Sequence, residues 1–181
     1  LVAGGSKESI LQPEFAPDGT LYFVSDRSGW WNLYRIKAGE IELVLALDAE
    51  CGVPQWSFGL STYGFASENV IVISYIVDGL SKLAVFDLSM NSFCPIHSSF
   101  VDITGLKVGN GQAIFVGGSL VEPNSIVSYS LKSKKMTTLY RSGENNLSSS
   151  DVSRPIPVSI PVGDGEKTNG FFYKPQNALC I

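Results

Sequence analysis

The stretch Pro13-Glu14-Phe15-Ala16-Pro17-Asp18-Gly19-Thr20-Leu21-Tyr22-Phe23-Val24-Ser25-Asp26-Arg27 leaves this chain few folds to choose from. It reads as strand, tight turn, strand, loop. Pro17 presets φ, Asp18 bonds to the local backbone, and Gly19 accepts a positive φ. Leu21 to Ser25 follows at once and is rich in aromatic and β-branched residues. The loop Arg27-Ser28-Gly29 leads to a third run, Trp31 to Ile36, and Gly39-Glu40 turns the chain into a fourth, Ile41 to Leu45. Four short antiparallel strands in about 36 residues have the size of one propeller blade.

The pattern recurs. Pro54-Gln55-Trp56 repeats the Pro, polar, aromatic order of Pro13-Glu14-Phe15 at an offset of 41, and opens a second unit. Its strands are expected over Ser61 to Ala66, Asn69 to Tyr75, Lys82 to Leu88 and Phe93 to His97. Ala113 to Gly117 lines up with Leu21 to Ser25 at an offset of 92, which also carries Asp18-Gly19 onto Asn110-Gly111, a type I′ hairpin signal. The third unit has expected strands over Ile103 to Val108, Ala113 to Gly117, Ser125 to Leu131 and Met136 to Arg141. Asn69 to Tyr75 is apolar on both faces, as a strand between stacked sheets would be. No window sustains apolar residues at i, i+3, i+4 and i+7, so helix signals are nearly absent. An all-β sandwich is the alternative. It would alternate more cleanly between apolar and polar, without a repeat of about 40–50 residues. The fold class is therefore all-β, a partial β-propeller of about three four-stranded blades over residues 1–141.

After Arg141 the character changes. Residues 142–154 are polar, rich in Ser and Asn, and read as a linker. Residues 155–181 begin with Pro155, Pro157 and Pro161 in an extended stretch. Proline confines such a stretch to an edge or a connection. Gly163-Asp164-Gly165 then turns into Asn169 to Pro175, a hairpin unlike the blades.

Composition restricts function. The 181 residues are 44% hydrophobic and 17% charged, which is globular. A net charge of −4 argues against a nucleic-acid surface. The longest apolar stretch, Val70 to Val77, contains Ser74 and is too short to span a membrane as a helix. Cys51, Cys94 and Cys180 are widely spaced and odd in number, which fits reduced thiols in a cytoplasmic compartment. Leu1 to Gly5 offers no initiator Met and no signal-peptide core, so the chain is expected to begin inside a longer protein; organellar import stays open for that reason. Asn146-Leu147-Ser148 is a glycosylation sequon, a pattern common by chance.

The first blade resembles the propeller repeat of prolyl oligopeptidase-family peptidases, tricorn-type proteases and the periplasmic Tol-system propeller. The residues that carry this are Pro13 to Gly19, Tyr22 to Arg27 and Asn32-Leu33-Tyr34. Asp48 to Gly59 is similar to a blade junction in dipeptidyl aminopeptidase/acylaminoacyl-peptidase-like members of the prolyl oligopeptidase family. Gly117-Gly118-Ser119 with Glu122 to Val127 is similar to the blade after it. Pro157 to Asn177, above all Phe171 to Asn177, resembles the strand pair by which those enzymes enter their α/β-hydrolase domain. Cys51, where the family pattern expects an aromatic, and the ending Cys180-Ile181 depart from it. The resemblance implies the last three blades of a propeller of about seven, plus the leading hairpin of a hydrolase domain otherwise absent. It also implies a serine peptidase acting on short peptides, with the propeller restricting access to a catalytic triad beyond Ile181.

The residues themselves supply no chemistry. A serine hydrolase needs a G-x-S-x-G elbow with an acid and a His downstream. Gly117-Gly118-Ser119-Leu120-Val121 and Gly59-Leu60-Ser61-Thr62-Tyr63 both lack the closing Gly, and His97, the one histidine, precedes Ser119. No metal-ligand spacing occurs. Gly109-Asn110-Gly111 is a turn and not a phosphate cradle, since no helix follows. The loop Asp26-Arg27 with Trp30-Trp31 reads as a rim whose Asp holds the loop and whose Trp rings pack between blades; a substrate-facing rim is the alternative. No catalytic, cofactor-binding or metal residue is assigned, and no cofactor is expected. The expected partners are short peptides met through the missing domain, with no nucleic acid and no membrane. Uncovered blade faces favour self-association, so an oligomer is compatible with the sequence. The competing function is a stand-alone scaffold propeller recruiting proteins through its rims. A scaffold, however, gives no reason for the terminal hairpin.

Overall fold

The computed structural model describes residues 1–56, 58–144 and 151–175. These contain fourteen strands and no α-helix. No helix is long and apolar enough to cross a membrane among them. Strands β1 (Ile10–Phe15), β2 (Leu21–Ser25), β3 (Asn32–Lys37) and β4 (Glu40–Leu45) form one antiparallel sheet in sequence order. A second sheet holds β5 (Tyr63–Ser67), β6 (Val70–Val77), β7 (Leu80–Asp87) and β8 (Ser92–Ile96). A third holds β9 (Phe100–Gly109), β10 (Gln112–Ser119), β11 (Ser125–Ser130) and β12 (Lys135–Arg141). Three separate sheets of four neighbouring strands exclude the single sandwich. The chain is an all-β partial propeller, completed by a hairpin of β13 (Pro155–Gly163) and β14 (Glu166–Tyr173).

The offset of 41 does not mark equivalent positions. Pro54-Gln55-Trp56 lies in the connection ahead of β5, whereas Pro13 lies within β1. The second strands β2, β6 and β10 begin at residues 21, 70 and 112. The first junction is longer because the chain makes a bridge between Glu50 and Ile76 before it enters β5. The turn at Asn110-Gly111 has φ of 50° and 72°, the two positive values a type I′ hairpin needs. The turn at Pro17 to Gly19 uses a positive φ only at Gly19, and Asp18 accepts both the N–H and the hydroxyl of Thr20.

The second sheet is the centre of the stack. Ile71, Ile73, Tyr75, Ala84 and Phe86 pack into one core with Tyr22, Val24 and Leu33 of the first sheet. Val72 and Leu83 point the other way, into a core with Ile103, Leu106, Phe115 and Val127 of the third. This is the period-2 alternation of a strand, with both faces given to apolar neighbours.

Polar contacts pin the inner strands to each other. Gln12 sits at φ 46°, in the left-handed region, where β1 loses register between Leu11 and Glu14. The bulge aims its side chain at the next blade. Gln12 Nε2 donates to Tyr63 O (2.8 Å) and Ser61 Oγ (3.1 Å), and its Oε1 accepts from Thr62 N (2.7 Å). The Tyr63 hydroxyl donates back to Gln12 O at 2.8 Å. Tyr63 is buried, and burial, with the charge of Glu14 adding to it, pushes its phenol up, so it stays a neutral donor. Between the second and third blades, Leu106 N donates to Ser61 O.

Two measurements follow from this packing. Gln12→Ala strands the buried Thr62 N–H and is expected to cost about 2 kcal/mol in denaturant unfolding. Gln12→Gly loses the same bonds but relieves the left-handed backbone, so it should be more stable than Gln12→Ala by about 1 kcal/mol. Equal stability of the two would refute the strain at this position. The outward face of the third sheet leaves Ile114, Val116, Ile126 and Tyr140 exposed. Light scattering is expected to show concentration-dependent association, reduced in the double variant Val116→Lys, Ile126→Lys.

Candidate functional site

The serines considered as nucleophiles are committed to backbone. Ser119 Oγ accepts from Val121 N (3.2 Å) and Glu122 N (2.8 Å), closing the loop after β10. Ser61 is buried, accepts from Gln12 and donates to Tyr63 O at 3.2 Å. His97 follows the end of β8, is exposed, and lines a cavity with Lys82 and Pro95 that neither serine borders. The structure therefore brings neither Ser61 nor Ser119 to His97. Among the described residues no group of His, Cys, Asp or Glu could hold a metal ion. Cys51 is buried, and burial with the nearby Glu50 charge pushes its thiol up to about 12. That leaves it a neutral core residue and not a nucleophile. Cys94 is a free, exposed cysteine, and Cys180 and the sequon at Asn146 lie outside the described residues.

The Asp26-Arg27 loop is a clasp. Asp26 accepts from Ser9 N at 2.8 Å, so it ties down the N-terminal segment in addition to its own turn, which closes through Gly29 N and Asp26 O. Arg27 lies over the Tyr34 ring, which stacks on Phe23, and pairs with Glu8 at 2.7 Å. Glu8 also accepts from Ser25 Oγ at 2.6 Å and from Gly4 N. Trp31 packs against the first core, while Trp30 stays partly exposed. Asp26 Oδ1 and the Arg27 guanidinium are thus engaged within the chain.

Two further cavities join separate parts of the fold. One is a cavity of about 430 Å³ where the three inner strands meet. Gln12 and Glu14 border it from β1, Ser61 and Tyr63 from the second blade, and Leu106 and Lys107 from β9. Chain geometry shapes it twice: by the bulge at Gln12, and by a second bulge in β9 between Thr104 and Lys107, where Gly105 has φ 62°. The other is a smaller cavity of about 250 Å³ between the blade-2 turn at Asp78 and the strand β13 residues Pro157 to Ser159. Beside it the Phe171 ring lies over Gly79, where a Cβ would come within 3.0 Å of the ring. Only glycine satisfies both that contact and the φ of 76° the turn requires. Nothing local in the sequence signalled either cavity, because their walls come from distant segments.

No family model matches the chain, and no curated protein does. Solved structures do. A puromycin hydrolase matches over 98% of this chain at 22% identity and a TM-score of 0.89. A Mycobacterium tuberculosis puromycin-hydrolyzing peptidase matches over 98% at 23% identity, also at 0.89. A prolyl endopeptidase structure matches over 91% at 20% identity and a TM-score of 0.60. The chain spans only 27% of the length of the first two and 24% of the third. At these identities the likeness establishes the fold, a segment of the propeller type found in those peptidases.

The clasp makes a pH prediction. The Ser25 hydroxyl above all, and then Arg27 and Gly4 N, hold the Glu8 carboxyl below its ordinary range, against a smaller opposing effect of burial. A depressed folded pKa gives stability that is present above the ordinary glutamate pKa of about 4.3 and is lost as pH falls through the folded value. Glu8→Gln should therefore melt below the parent at pH 7, and the gap in Tm should close on acidification towards about pH 3. A gap independent of pH would show that the carboxylate charge plays no part.

Proposed function

We propose that this chain is the C-terminal part of the propeller of a prolyl oligopeptidase-family serine peptidase, of the dipeptidyl aminopeptidase/acylaminoacyl-peptidase-like kind. The observation that carries this is the match over 98% of the chain to puromycin-hydrolysing peptidases. Such coverage takes in the hairpin Pro155 to Tyr173 as well as the blades. A free-standing scaffold propeller gives no reason for that hairpin, which the peptidase reading uses as the first strands of an α/β-hydrolase domain. On this reading residues 1–141 are blades, 142–154 a linker, and 155–181 the start of the hydrolase.

The propeller's role would be steric. Blades set over an active site admit short, unfolded peptides and turn away folded chains. The peptidase step itself needs a serine, its histidine base and an oxyanion hole acting together. Ser61 and Ser119 are used up in backbone bonds, and His97 stands apart from both, so the catalytic residues are assigned to sequence this chain does not include. The parent is a hydrolase of short peptides that works without a cofactor. A cytoplasmic location is part of the same proposal, consistent with the unpaired Cys51 and Cys94.

Fluorophosphonate labelling tests this together with turnover of acylaminoacyl and dipeptidyl chromogenic substrates. Residues 1–181 alone should neither label nor turn over substrate. A longer natural chain containing this segment should label at one serine outside it. Labelling of Ser61 or Ser119, or turnover abolished by Ser119→Ala or His97→Ala, would overturn the assignment.

A further inference from the structure

The outermost strand of the second sheet, β8, carries the one exposed cysteine among the described residues. Cys94 is the cross-strand partner of Val85, so the two side chains share a face. Val85 packs against the core between the second and third sheets. So does Ile96, two residues further along the same face. Cys94 therefore stands at the outer end of the seam between blades two and three.

Two hydroxyls meet it there. Ser92 Oγ lies 3.5 Å from Cys94 Sγ. Tyr129 belongs to the core of that seam and is only 6% exposed. Its hydroxyl forms no hydrogen bond among the described residues, and none of their unpaired side-chain oxygens is sealed from solvent. The Tyr129 hydroxyl thus emerges at the seam with its proton uncommitted. Tyr63, buried at the inner end of the blades, instead spends its proton on Gln12 O. Burial, and then the charge of a neighbouring Cys94 thiolate, pushes the Tyr129 phenol up, so it stays a neutral donor.

The surroundings also decide the fate of an oxidised sulfur. A sulfenic acid is consumed by a second thiol, or by a backbone nitrogen that closes a sulfenamide. The residue after Cys94 is Pro95, whose nitrogen carries no hydrogen. Cys51 belongs to the core on the opposite face of the same sheet and is fully buried. Its thiol is pushed up to about 12, which keeps it protonated. Neither route is open to Cys94 among the described residues.

We propose that Cys94 is a redox modification site, at which a hydroperoxide forms a sulfenic acid that the Ser92 and Tyr129 hydroxyls hold until a small thiol from solution caps it. In the first step the sulfur attacks the outer peroxide oxygen. The S–O bond forms as the O–O bond breaks, the sulfur is oxidised, and the peroxide leaves as water or an alcohol. In the second step a thiolate attacks the same sulfur. The S–S bond forms as the S–O bond breaks, and the oxygen leaves as water with the proton of the incoming thiol. The product is a mixed disulfide at the seam of two blades. This site does not depend on the peptidase reading.

The test treats the full chain with hydrogen peroxide, traps aliquots over time with dimedone, and locates the adduct by peptide mass. Dimedone is expected on Cys94 and not on Cys51. The sulfenic acid should persist about five- to tenfold longer in the parent than in Tyr129→Phe, the scale of one hydrogen bond. Phenylalanine keeps the ring in the core, so the comparison isolates the hydroxyl. Ser92→Ala, on the outermost strand, should shorten the lifetime in the same direction. Glutathione added after the peroxide should give one mixed disulfide at Cys94, reversed by dithiothreitol. Cys180→Ser should leave all of this unchanged. Equal lifetimes in the parent and both variants, adducts on Cys51 as fast as on Cys94, or a Cys94–Cys180 disulfide in place of the mixed one would overturn the proposal.

Discussion

The structure depends on one sheet having no solvent face. β6 and β7 give Ile71, Ile73, Ala84 and Phe86 to one neighbour and Val72 and Leu83 to the other. A buried side chain of this size is worth about 1.5–3 kcal/mol relative to exposure. The central sheet can therefore hold two partners at once, whereas either flanking sheet alone would present an apolar face to water. Stability of this kind is a sum of nearest-neighbour interfaces, as in other repeat architectures. Here it is concentrated at the middle of the three sheets.

Apolar stacking fixes that the sheets meet, but it is indifferent to small slides between them. The polar contacts at the inner edge supply the missing specificity. Gln12 joins β1 to the Ser61-Thr62-Tyr63 segment through both ends of its amide, and Tyr63 returns a bond to the Gln12 carbonyl. Ser61 O then receives Leu106 N of the third blade. One short segment at the head of β5 thus indexes both neighbours. The serine that a motif search would notice in Gly59-Leu60-Ser61 has a structural reason to be there.

The strands were legible in the sequence wherever a β-rich run met a turn with its own chemistry. Leu21 to Ser25 after Pro17-Asp18-Gly19, and Ala113 to Gly117 after Asn110-Gly111, are such cases. The alignment of Pro54-Gln55-Trp56 with Pro13-Glu14-Phe15 misled, because three residues of matching type carry no information about a junction that first bridges to Ile76. Gln12 could not be read either. Glutamine has no preference for left-handed backbone, and only the tertiary bonds to the next blade hold it there. The cavity at the inner strands was invisible for a related reason: its walls come from three separate blades and meet only when the inner edges converge. The fourth-strand position expected for His97 was off by one residue, since β8 stops at Ile96.

The doubly apolar character of Val70 to Val77 has a consequence for how the chain finds its fold. In a strand with one wet face, a slip of one residue against its partner exposes the core set and is rejected at once. In β6 the same slip exchanges valines and isoleucines for one another, so burial scarcely discriminates. Correct pairing with β7 must come from elsewhere. The two-residue turn at Asp78-Gly79, with φ of 52° and 76°, sets it from one end. Ser74, bonded through its N–H and its hydroxyl to Thr62 O, fixes β6 on its other side, against the segment that enters β5. A single serine and a single tight turn therefore act as the reading frame for the most hydrophobic segment of the molecule. Until they form, that segment is an aggregation-prone strand with more than one acceptable alignment.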